Sequence, residues 1–148
     1  MKVALDTSIL VAALVEEHPV HDRALWWLNP ERELSRVACW HAFAETWAVL
    51  TSMPLDPPVS GQVAATVLDR VRGVVAFVPP RAGNYRDAVA RCAGIGFRSG
   101  AIYDALHLVI AEAEKADVFL TFNERVFIRL SVPGGPRVVV PPDPPRIP

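Results

Sequence analysis

Short apolar runs alternate along the chain with longer segments whose apolar positions recur every three or four residues. Val3-Ala4-Leu5 reads as a strand and Ser8 to Val15 as a helix. Val20 to Leu28 predicts a second helix, with Val20, Ala24 and Leu28 on one face. Val37 to Trp40 reads as a strand that runs directly into a helix from Ala42 to about Ser52. Past the loop MPLDPP, Val59 to Val71 predicts a helix and Val74 to Val78 a strand. Asn84 to Ala93 is helical and is stopped by Gly94 and Gly96. Gly100 to Lys115 has the clearest helical spacing, which turns Ile102, Ala105, Leu106, Val109 and Ala113 inward. Val118 to Thr121 predicts a strand, Glu124 to Leu130 a short helix and Val138 to Val140 a last strand. The terminal PPDPPRIP is polyproline-like and is expected to stay unpacked.

Strands that alternate with helices imply parallel pairing through crossover helices. The expected fold is therefore an α/β/α sandwich, three layers around a central, mainly parallel sheet. One domain over 1–140 and a proline-rich tail over 141–148 account for the 148 residues. In such a sheet every strand-to-helix junction lies on the carboxyl edge, where open α/β folds place their sites.

Three acids interrupt the apolar pattern near such junctions. Asp6 ends the first strand, Glu45 lies in AFAETWAVL and Asp104 in AIYDALHLVI. An acid at a helix start caps backbone N–H groups or complements the helix dipole. The flanks of Glu45 and Asp104 are otherwise apolar, and carboxylates in apolar walls are costly without a partner. Neither of the two lysines, Lys2 and Lys115, is near either acid in sequence. A hard divalent cation such as Mg²⁺ or Mn²⁺ suits oxygen ligands in such a place.

Composition adds little. A formal net charge of −1 offers no overall electrostatic footprint for nucleic acid, although acids at a site would mask a basic rim. Thirteen of the fifteen basic residues are arginines, which suit phosphate contacts, and Arg98 and Arg125 flank the acidic motifs. Cys39 and Cys92 have no metal-ligand spacing and read as buried small hydrophobes of a reducing compartment. Asp6 breaks the apolar run that a secretory signal would need, and no stretch is long enough to span a bilayer, so a cytoplasmic location is expected.

Taken together, LDTSILVAAL, HAFAETWAVL, RSGAIYDALHLVIAEA and DVFLTFNERVF resemble the successive motifs of PIN-domain ribonucleases, and among them the VapC toxins of bacterial toxin–antitoxin pairs. The resemblance runs from about Lys2 to Val140. It implies a metal-dependent endoribonuclease that cleaves RNA with Mg²⁺ or Mn²⁺, a cognate VapB-like antitoxin, and a homodimer. Asp6, Glu45 and Asp104 match the family's first three acids and would hold the metal. Asp6 and Asp104 would bind the principal ion, while Glu45 completes its shell or orients the attacking water. Ser8 could donate to a water or a phosphate. The fourth acid is replaced by Asn123 in TFNER, which leaves a second metal open; Asp117 begins its strand and should lie at the wrong edge.

Other readings stand beside this one. His41 and His107 are spaced for a zinc hydrolase site with Glu45 or Asp104. A core or supporting role is the simpler account of both histidines. A phospho-acceptor signalling domain would need a lysine ending a late strand, and neither lysine is placed for it. A non-catalytic PIN-fold binding module would keep the fold without using the acids. Adjacent Trp26 and Trp27 cannot both face one core; one of them either lies under a loop or lines an aromatic groove for the antitoxin.

Overall fold

The structure, a computed structural model, describes residues 1–144. Five strands form one parallel sheet in the order β3-β2-β1-β4-β5. They are β1 (Lys2–Leu5), β2 (Ser35–Cys39), β3 (Ala76–Val78), β4 (Val118–Leu120) and β5 (Arg137–Val139). Helices α1 (Thr7–Leu14) and α2 (His21–Leu28) join β1 to β2, and α3 (Trp40–Ser52) and α4 (Gly61–Val71) join β2 to β3. The chain then crosses back through α5 (Ala82–Gly94) and α6 (Ala101–Ala113) to β4, and α7 (Glu124–Leu130) leads to β5. The α/β/α expectation holds.

Strand residues alternate between two apolar layers. Ala4, Val37, Cys39 and Phe119 face a core built with α5, α6 and α7, while Val3, Leu5, Ala38, Val118 and Leu120 face one built with α1 and α2. Burial on both faces explains why these strands read as unbroken apolar runs. The chain order reverses about β1: β2 and β3 lie on one side, β4 and β5 on the other. Such a switch point opens a crevice at the carboxyl ends of the strands, here between β1 and β4.

Several local expectations differ; α5, for one, begins at Ala82, two residues before Asn84, and still includes Gly94. Trp40 already belongs to α3, capped by Cys39, so the helix begins two residues early. In α6 seven consecutive residues, Ala105 to Ala111, are buried, whereas Ala113 is exposed. This helix lies against β2 and against α3, α5 and α7, so it has no solvated stripe over that stretch. Pro141, assigned to the unpacked tail, is buried, and Arg23 donates to its carbonyl from Nε (2.7 Å) and Nη2. The remainder of that expectation, 145–148, lies outside the described residues. Both cysteines are buried and free.

Candidate active site

Asp6 is both cap and cleft residue. It leaves β1 with its N–H on the Leu120 carbonyl at 3.2 Å, which seats it beside the end of β4. Oδ1 accepts from the Ile9 N–H at 3.2 Å, capping α1, and from Ser8 Oγ at 2.6 Å; Oδ2 accepts from Thr121 Oγ1 at 2.7 Å. Each carboxylate oxygen has about two acceptor positions, so one on Oδ2 stays free. The side chain is nearly enclosed, and burial pushes its pKa above the ordinary aspartate value despite these bonds.

Glu45 sits in the second turn of α3, not the first, because the helix starts at Trp40. Its Oε2 accepts from Thr7 Oγ1 at 2.6 Å and from His107 Nε2 at 2.8 Å, and its Oε1 lies 3.6 Å from His41 Nε2. Burial alone would raise its pKa; the bonds from His107 and Thr7 and the two imidazoles outweigh that and hold it below the usual glutamate value. Both histidines thus turn to Glu45, and His107 Nδ1 is buried with no partner among the described residues.

Asp104 lies in the first turn of α6, which begins after a turn at Gly100 rather than at a strand end. Its carboxyl is pushed up to about 6, first by burial and then by the charges of Asp6 and Glu45, with His107 pulling the other way. Among the described residues no ion pair reaches it.

Asp6, Thr7, Ser8, Glu45, Asp104, His107 and Asn123 line one cleft of about 360 Å³ at the carboxyl edge. Asn123 follows β4 at the head of α7 and donates its N–H to Thr121 Oγ1 at 2.8 Å. Asp117 is at the opposite edge, accepting from the Lys2 N–H at 2.7 Å. Thr7 and Thr121 escaped the sequence reading, which had no means of seeing that their hydroxyls meet Glu45 and Asp6. Ser8 spends its proton on Asp6 and accepts from the Phe122 N–H at 2.9 Å, so its role is to join α1 to the end of β4. A PIN domain family profile matches residues 3–133 of the chain.

The chain belongs to the PIN-domain family. The motif resemblance is thereby borne out. This PIN domain is 32% identical over 117 residues to Ribonuclease VapC27 of Mycobacterium tuberculosis, covering 78% of this chain and 81% of the relative. Its fold matches that of M. tuberculosis VapC20, a sarcin–ricin-loop-cleaving toxin, with a TM-score of 0.69 and 19% identity over 85% of this chain and 93% of the other. It also matches VapBC2 from Rickettsia felis, solved bound to a promoter DNA fragment, with a TM-score of 0.65 and 19% identity over 95% and 98%.

The donor set of this PIN cleft fits a hard cation. Carboxylate, amide and hydroxyl oxygens line it, and the charge of Asp6 adds to the burial that disfavours a second carboxylate at Asp104. Among the described residues no three His, Cys, Asp or Glu groups already converge as a metal cage, Glu45 being turned onto the histidines. Mg²⁺ does not need such a cage: one or two carboxylates, its own waters and substrate phosphates ordinarily suffice. Arg98 and Arg125 are exposed and do not line the cleft. Among the described residues no helix is long and apolar enough to cross a membrane.

Proposed function

We propose that this PIN-domain protein is a VapC-type endoribonuclease that hydrolyses RNA phosphodiester bonds with Mg²⁺ or Mn²⁺, as the toxin of a VapBC-type toxin–antitoxin pair. The observation that supports the metal is that Asp6 and Asp104 share one cleft, with Asp104 lifted to about 6 by burial first and then by the charges of Asp6 and Glu45. Similarity to Ribonuclease VapC27 supports the reaction class.

In this reading Asp6 offers its one free Oδ2 position, and Asp104 and the Asn123 amide oxygen complete the protein's share of the ligands. A divalent cation supplies phosphate-charge neutralisation and a more acidic water. Thr121 and Ser8 hold Asp6 in place, and Thr7 and His107 do the same for Glu45. Oε1 of Glu45, approached only loosely by His41, is the oxygen left to accept a proton from the attacking water. A cognate antitoxin and a homodimeric assembly belong to the same proposal.

Incubating the purified protein with Mg²⁺ and total cellular RNA tests it. Cleavage should stop with EDTA and in Asp6→Asn and Asp104→Asn. Near wild-type cutting by either variant would refute the metal assignment.

A further inference from the structure

Immediately before Asp104 stands Tyr103, 45% exposed at the start of α6. Its ring is not loose on the surface: it lies flat on the His41 imidazole, with centroids 4.4 Å apart and planes 13° from parallel. His41 is itself tied inward, with Nε2 3.6 Å from Glu45 and its ring edge-on to buried His107 at 5.9 Å. A chain of contacts therefore runs from the cleft wall at His107, through Glu45 and His41, out to the half-exposed Tyr103 ring, next in sequence to Asp104. One face of that ring is covered by the imidazole, so its exposure belongs to the other face and the edge. The free face of the ring is open to a second flat partner. Unpaired nucleobases stack on such rings whatever their identity, because every base has a π-face.

We propose that the Tyr103–His41 pair is a base-stacking platform, a subsite for one unpaired nucleobase of the RNA strand that enters the cleft. The proposal rests on the ribonuclease reading for its ligand class and on the stack for its place. Tyr103 supplies the outer surface. His41 backs it and fixes its plane relative to Glu45, so the base, once stacked, holds the adjoining backbone over Asp6 and Asp104. A base locked in a duplex cannot use the platform.

The test uses short single-stranded RNA in EDTA, so that binding is read without turnover, with fluorescence anisotropy on wild type, Tyr103→Phe and Tyr103→Ala. Tyr103→Phe should bind like wild type. Tyr103→Ala should bind roughly 5- to 150-fold more weakly, the range that loss of one stacked base gives. Scanning an abasic site along the oligonucleotide should find one position whose removal weakens wild type as much as Tyr103→Ala does, and has no further effect in that variant. 2-Aminopurine at that position should be quenched by wild type and not by Tyr103→Ala. With Mg²⁺ present, Tyr103→Ala should raise KM far more than it lowers kcat. Equal affinities for wild type and Tyr103→Ala, or abasic penalties that add in the variant at every position, would overturn the platform while leaving RNA cleavage intact. A Tyr103-dependent abasic position in a protein that cuts no RNA would uphold the platform and refute the nuclease reading.

Discussion

His107 on α6 donates from Nε2 to Glu45 Oε2 on α3 at 2.8 Å, so the second acid of the PIN cleft is held by a buried imidazole. Thr7 Oγ1 approaches the same oxygen at 2.6 Å. This arrangement gives Glu45 a position and a charge state before any substrate arrives.

Removing that imidazole should release both. His107→Ala loses a charge-assisted hydrogen bond and opens a small void, at a cost of about 2–4 kcal/mol in unfolding stability. Because the pKa of Glu45 is depressed in the folded protein, its contribution is full above the ordinary value of 4.5 and is lost as pH falls through the lower folded value. Denaturant unfolding between pH 3 and 7 should therefore show a smaller acid-side loss in His107→Ala than in wild type. Parallel curves would remove His107 as the cause of the Glu45 shift.

Asp104 should behave in the opposite sense. Its folded pKa of about 6 lies above the ordinary 3.8, so its contribution to stability is most favourable below 3.8 and is lost as pH rises through 6. Without divalent cation, Asp104→Asn should melt above wild type at pH 7.5, by about 2–4 °C when the effect is discounted to about 1 kcal/mol for partial exposure. The gap should close by pH 4, and it should narrow at pH 7.5 when Mg²⁺ is added to wild type. Thermal scans of both proteins at the two pH values decide this.

Asn123 and Asp117 are separated by the length of β4, one in the cleft and one bonded to the Lys2 N–H at the far edge. Asn123→Asp adds a carboxylate to the oxygen set and should tighten Mn²⁺ binding, lowering the metal concentration for half-maximal cleavage. Asp117→Ala should leave both unchanged. Calorimetric titration of Mn²⁺ separates the two, and a loss of affinity in Asp117→Ala alone would reverse the assignment.

Trp26 and Trp27 pack edge to face at 4.9 Å, yet they belong to different environments. Trp27 rests against the core beneath α2, whereas Trp26 lines a surface hollow with Leu25 and Pro30, and Arg32 lies 3.5 Å over its ring. Trp26→Ala should weaken binding of the cognate antitoxin with little change in melting temperature; Trp27→Ala should lower the melting temperature. Equal antitoxin affinity for Trp26→Ala and wild type in a pull-down titration would remove the groove.

The sequence by itself determined the existence of the strands and helices and their parallel pairing, because each apolar run carries its own period and several are bounded by Gly, Pro or an acid. Asp6 at the end of β1 was legible for the same reason: its neighbours in sequence are its neighbours in the strand and the cap. Asp117 was legible too, since a strand's first and last residues must lie at opposite edges. Tertiary structure decided the rest. Glu45 and His107 are 62 positions apart and meet only because α6 returns beneath α3. The hydroxyls of Thr7 and Thr121, each unremarkable at a strand–helix junction, become anchors for acids only once α3 packs on α1 and β4 is laid beside β1. Asp104 reached the cleft without a preceding strand, and its raised pKa comes from burial first and then from acids supplied by two other elements. Period and capping are local and can be read along the chain; a shared electrostatic field belongs to side chains that only packing brings together.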